Sequence, residues 1–455
     1  MRPLVVVMSL IMVGAVLPER GDFRGNSDAP QVTIYDPNPT HLWNRLYATL
    51  LIREDRHGNV YGEDSLDPLL WGFTKHLLEG DSHRQAIHVL DEFLQTHGES
   101  LIRDPVKRAM LQRDLWAVFD WSVARKPSRP GEPAYEAETR ELQVRLAEAM
   151  RRVALTQEEI EALPDNYAQA LASGEFAKEY DPQHKDPVFL PPDLFQEYGP
   201  WVGIGGDYLN PATSQHVTAF SGRSRFLIFI RLPAGRKAAY DYFRELWNFP
   251  QPWIARPDAP NQPEINPELP SFPPGTEVAL VRQMTLFDKQ GNLAPAPITE
   301  SVQVRVYENV TSGTTEPAAS LPDTISRNGQ HFYEIRLSRR QLFAGKSGGL
   351  RAVGPDEKEL FQFNAMGFDE FENPPFRVVL TRTPPILEEC FMCHRGVGIN
   401  SLNSRANLLR PNSLQQDHTY AYPPRWWEND ATVDWKQTRF DWGLLRGYWA
   451  AAQGR

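Results

Sequence analysis

The chain has 455 residues, of which 41% are hydrophobic and 23% charged, enough to bury a sizeable core and, at roughly 150 residues per domain, to form about two or three domains. Its formal charge of −10 leaves no excess of Lys and Arg to neutralise phosphates, which argues against a protein devoted to nucleic acid. Thirty-nine prolines imply long ordered loops, and two cysteines exclude a disulfide-rich scaffold or an iron–sulfur cluster held by three or four thiolates.

Arg2 is followed by an uncharged apolar run, Leu4 to Leu17, ended by Pro18, Glu19 and Arg20. Fourteen residues of helix span roughly 21 Å, short of a hydrocarbon core of about 30 Å. The run reads as a secretory signal peptide (1–17) and predicts an exported protein, periplasmic or secreted, with no transmembrane span in the mature chain. The alternative is a buried N-terminal helix or strand. Residues 18–40 carry Gly, Pro, Asp and Asn without a pattern and read as a linker or extended arm.

From His41 the spacing becomes helical, with Leu42, Leu46, Leu50 and Leu51 near one face. Leu66 to Leu78 continues in that style, and Arg84 to Thr96, Pro105 to Val123 and Glu136 to Ala154 are further helix candidates. Thr-Gln-Glu-Glu at 156–159 has the form of a capping box with Thr156 as N-cap. These segments predict a helical domain over 41–178.

After Tyr180, proline-rich turns separate strand-like runs: Phe226 to Leu232, Glu277 to Arg282, Ser301 to Tyr307, Phe332 to Leu337 and Phe376 to Leu380. An amphipathic helix, Ala238 to Trp247, interrupts them. The fold class expected is α+β: a helical N-terminal domain followed by a β-rich domain over 179–455. The tail holds Trp426, Trp427, Trp435, Trp442 and Trp449, the last three seven residues apart, so a helix would group them on one face as packing anchors.

The only two cysteines lie in Glu389-Cys390-Phe391-Met392-Cys393-His394. This is C-x-x-C-H, the attachment motif of c-type haem. The spacing puts both sulfurs on one helical turn, where they can add to the two vinyl groups of a porphyrin. The next imidazole then lies under the iron. Random placement of two cysteines and a following histidine gives this arrangement roughly once in ten thousand chains. A thioredoxin-like pair, a zinc site with His394 and His418, and a plain disulfide are the competing uses of these thiols.

Over about ten residues around Cys390 to His394 the chain resembles a c-type cytochrome. The resemblance implies one covalent haem c on Cys390 and Cys393 with His394 as proximal iron ligand. Arg395, adjoining the motif, is the best candidate for a haem propionate, ahead of Arg382, Arg405 and Arg410. Class I cytochromes c take a distal Met downstream, yet no Met follows Met392 here. The sixth position is therefore open among His418, an upstream Met366 or His331, and no protein ligand. Two strong ligands leave the iron only electrons to exchange, with an unidentified redox partner protein. An open position allows small molecules to bind, and the late motif behind a β-rich region also resembles the cytochrome P460 and c′-β proteins. Those proteins lack a long helical N-terminal domain. A third reading is a non-redox envelope protein whose thiols form a disulfide or metal clip.

His76, His83, His88 and His97 show no metalloprotease spacing, and Val202-Gly203-Ile204-Gly205-Gly206 lacks a nucleotide-binding pattern. No Gly-x-Ser-x-Gly elbow is present to support a hydrolase.

Overall fold

The computed structural model describes residues 32–55, 58–125, 134–204, 214–255, 263–310, 326–327, 329–358, 369, 371, 385–388, 394, 396–402 and 431–452. The expected signal peptide and the strand at 376–380 lie outside them. Among the described residues no helix is long and apolar enough to cross a membrane.

The helices, numbered in chain order, are α1 (Leu42–Leu51), α2 (Gly80–Gln95), α3 (Pro105–Ala124), α4 (Glu136–Val153), α5 (Gln157–Glu161), α6 (Asn166–Ser173), α7 (Ser214–Ala219), α8 (Arg236–Asn248), α9 (Arg339–Phe343), α10 (Ala431–Gln437) and α11 (Phe440–Ala452). The strands are β1 (Arg53–Glu54), β2 (Val60–Tyr61), β3 (Val202–Ile204), β4 (Ser224–Arg231), β5 (Trp253–Ala255), β6 (Pro263–Ile265), β7 (Thr276–Phe287), β8 (Leu293–Tyr307), β9 (Ser326–Arg327), β10 (Gln330–Leu337) and β11 (Leu350–Ala352). The molecule is α+β, with the helical part preceding the strands.

The caps follow from local chemistry. Asp104 accepts from the backbone N–H groups of Val106 and Lys107 and stands before Pro105, whose missing N–H costs nothing at a helix start. The Thr156 box forms in both directions, Thr156 Oγ1 accepting from Glu159 N and Glu159 Oε2 from Thr156 N. Leu66 to Leu78 is not a helix but a succession of turns. Pro68 favours extended backbone before it, and Leu77 adopts a left-handed φ of 67°. The run is apolar because it is a buried connection: Leu66, Leu69, Leu70, Trp71, Leu77 and Leu78 are all inside. The arm at 32–40 also packs, with Val32, Ile34 and Tyr35 buried.

The main sheet has seven strands, in the order β11-β10-β8-β7-β4-β3 with β9 beside β10, and every pairing is antiparallel. β8 begins well before Ser301, through Pro295 and Pro297. Its first half pairs with β7, while β10 covers only Ser301 to Tyr307, so the prolines fall on the free edge of the strand. Where the halves meet, Ser301 faces Arg282 and Thr299 faces Gln283, which leaves Glu300 as an extra residue in a bulge.

Alternation divides the sheet into two faces. One carries Phe229, Val281, Val302, Val304, Tyr333, Ile335 and Leu337, packed with Ile160 of α5 and Tyr167 and Ala170 of α6 in one core. The same core takes in Ala109 and Met110 of α3. Trp442 and Trp449 of α11 join Trp116 and Phe287 in a second core, so the tail does dock through these rings. The opposite face carries Phe226, Ile228, Leu280, Arg282, Arg305, Tyr307, Gln330 and Phe332, in register across β4, β7, β8 and β10.

Candidate functional site

His394 is described, and the chain after it folds back on its ring. A 3-10 turn over Gly398–Ser401 brings the Ser401 carbonyl to 2.7 Å from His394 Nδ1. A carbonyl only accepts, so Nδ1 carries the proton and the lone pair is left on Nε2. A neutral imidazole that donates one N–H to a backbone carbonyl and presents the other nitrogen is a tautomer fixed for metal ligation.

The turn is held from three sides. Tyr307 Oη and Ser401 Oγ lie 2.6 Å apart, Gln330 Nε2 donates to the carbonyls of Gly396 at 2.8 Å and His394 at 3.3 Å, and Ile399 N donates to Ser271 Oγ. Gly396 must be glycine, because a Cβ there would sit 2.5 Å from the Asn400 carbonyl oxygen.

The ring of His394 meets a second imidazole. His216, in the last turn of α7, lies with its centroid 6.2 Å away and its plane tilted by only 14°. The end of α7 is closed by Gly222 N donating to the Val217 carbonyl, and β4 starts immediately after, bringing Phe226 to 5.2 Å from the His216 ring. Both histidines are partly exposed, and so are Phe226, Ile228 and Leu280 on this face of the sheet.

The charge here is positive. Arg305 is buried, donates to Gln330 Oε1 at 3.0 Å and lies over the Phe332 ring. Arg282 lies over the Phe220 ring and pairs with Glu300 at 3.1 Å. Burial first, and then Arg305, lower His394 to about 3, against a smaller opposing effect of the Ser401 carbonyl. Burial followed by Arg305 and Arg282 lowers His216 to about 4. Both imidazoles are neutral at ordinary pH, the form that ligates metal.

Behind Arg282 a buried ion network ties the sheet to the helices. Arg113 bonds Asp67 at 2.9 Å and Glu300 at 3.0 Å, and Arg223 bonds Asp120 at 2.8 Å. Lys436 of α10 reaches Asp120 at 3.1 Å. The Glu300 bulge aims its carboxylate into this junction, where Ser224 also donates to it.

Of the residues named from the motif, Cys390, Cys393 and Arg395 lie outside the described residues, as do His418, Met366, Arg382, Arg405 and Arg410. His331 is described and stands on the other face of β10 from Gln330 and Phe332, among Tyr180 and Tyr333. Alternation along the strand turns it away from His394. His216 and Arg305 were not singled out from sequence. His216 has no motif around it, and its one signal is its place just before the FLIFIRL strand. Among the described residues no group of three or more His, Cys, Asp or Glu is gathered as a metal site. The chain matches no protein-family model, no curated protein and no solved structure.

Proposed function

We propose that this chain is an exported monohaem c-type protein that transfers single electrons. The observation that carries the reading is the 2.7 Å bond from His394 Nδ1 to the Ser401 carbonyl, directly after a C-x-x-C pair. That bond does for the imidazole what a proximal ligand needs: it sets the tautomer, fixes the ring plane and raises the basicity of Nε2.

Cys390 and Cys393 would hold the group covalently, and His394 would ligate its iron. When bound, the group supplies a metal that cycles between two oxidation states. The surroundings suit it. Phe226, Ile228 and Leu280 offer an apolar, partly open sheet face for a flat macrocycle. Arg305 offers a buried cation for propionate, in the role first assigned to Arg395. Tyr307, Gln330 and Ser401 keep the proximal loop in place through the redox cycle, so that little reorganisation accompanies the electron.

The test is expression of the full chain in a host that matures c-type cytochromes. The denatured protein should stain for haem after electrophoresis, and its intact mass should exceed the polypeptide by one haem. Cys390→Ala with Cys393→Ala should abolish both signals. A colourless wild-type protein at polypeptide mass overturns the reading.

A further inference from the structure

By sequence the sixth position of the iron is open among His418, Met366 or His331, and no protein ligand. We infer that His216 is the distal axial ligand, opposite His394, so that the site is a six-coordinate bis-imidazole centre built from two segments 178 residues apart. The inference rests on the haem reading above and deepens it.

Distance is the first argument. Metal–imidazole bonds are about 2.0–2.1 Å, and a ring centre lies about 1.1 Å behind its ligating nitrogen, so two imidazoles on one metal have centroids on the order of 6 Å apart. His216 and His394 stand at 6.2 Å. An offset stack of two rings in direct contact covers a similar range, so distance alone does not decide.

Chemistry is the second. His394 presents Nε2 because Nδ1 is committed to Ser401. His216 lies almost parallel to that ring, at 14°, and beside it. Arg305 and Arg282 stand on the same sheet face as Phe226, which packs on the His216 ring. The same setting suits an anionic porphyrin with two propionates.

Rigidity is the third. His216 sits one turn before Ser221 and Gly222, both in left-handed backbone, and Arg223 follows with its guanidinium pinned to Asp120 and Asp67. The chain that follows His216 is thus fixed, as the approach of a ligand requires. The rival His331 faces away on the far side of β10.

The test is spectroscopic and uses the haem-loaded full chain. Wild type should be low-spin in both oxidation states, with no rapid binding of cyanide or nitric oxide. Its ferric electron paramagnetic resonance should show the rhombic low-spin signal of imidazoles in near-parallel planes, as the 14° angle requires. His216→Ala should keep one covalent haem by mass and haem stain, turn high-spin, and return to low-spin on adding imidazole. His216→Met should keep a sixth ligand and shift the reduction potential upward, since Met/His ligation raises it. His418→Ala should stay low-spin.

A haem-loaded wild type that is high-spin and five-coordinate overturns the inference while leaving the haem reading intact. So does a His216→Ala protein whose low-spin spectrum is unchanged, or a His418→Ala protein that turns high-spin. Absence of covalent haem from wild type defeats both readings, and the haem stain alone reveals that case.

Discussion

The two faces of the central sheet are made by the same strands and do different work. Facing α5 and α6, Val281, Val302, Val304, Ile335 and Leu337 are buried without a gap. One residue along each strand, Phe226, Ile228 and Leu280 are left partly open beside two histidines and two arginines. The first face is close-packed for stability. The second is close-packed only in part: Ile230, Val278 and Tyr307 are buried with Phe243 and Leu246 of α8, while Phe226, Ile228 and Leu280 keep some exposure. A slip of one residue in register would exchange them, so the register that holds the core also places the site.

The contrast can be broken most violently at the junction of sheet and helices. Asp67→Ala removes the carboxylate between Arg113 and Arg223 and strands buried cations, at a cost of about 3–5 kcal/mol. A urea midpoint shift measures it, and a change below about 1 kcal/mol would show the network to be dispensable. Acid probes the same group. Burial acts to raise the Asp67 carboxyl, but Arg113, Arg223 and Arg282 outweigh it and hold it well below its ordinary 3.8. The folded state therefore binds fewer protons than the unfolded one. Its contribution is present above the ordinary value and is lost as pH falls below it. Wild type should lose stability progressively as pH falls from about 5 through 3 and below, and Asp67→Ala should lose less over the same range.

Ile335→Ala on the closed face comes next, at about 2–5 kcal/mol, with no change in the visible spectrum of the loaded protein. Phe226→Ala on the open face should cost less than the roughly 3–5 kcal/mol of a fully buried Phe, yet alter the spectrum. Equal losses with both spectra unchanged would erase the functional difference between the faces. The smallest effect belongs to a region remote from either role: Thr156→Ala loses its half of the capping box, about 1 kcal/mol by thermal melting, and leaves the spectrum alone.

Much of the architecture was legible because periodicity and caps are local. The helices after His41, the Thr156 box and the core of each long strand follow from spacing alone. Three things do not. Leu66 to Leu78 imitates a helix because a buried loop and a helix face use the same apolar residues, and only Pro68 and the left-handed Leu77 separate them. The start of β8 is hidden by Pro295 and Pro297, which are tolerated only because β10 stops short of them, a fact of pairing and not of composition. Arg113, Asp114 and Asp120 are charged residues of α3 that carry no sequence signal of burial yet are buried, since their partners come from 67, 223, 300, 339 and 436.

The site divides in the same way. His394 is announced by its neighbours in the chain, whereas His216 is recognisable only once folding has carried it across. Arg305 shows itself only when β8 and β10 are aligned and its guanidinium lies over Phe332. A motif reports what one stretch of chain can do by itself; a side chain brought alongside from afar leaves no such trace.

Gly222 has a reach beyond its own turn. A side-chain carbon added there would stand 3.1 Å from Lys436 and 3.2 Å from Trp435, so α10 leans directly on the turn between α7, which carries His216, and β4. The tail thus works as a latch on the imidazole as well as a plug for the helical core. A chain lacking its last two helices would be expected to keep much of its sheet and lose the footing of that one turn, letting the His216 ring drift from that of His394.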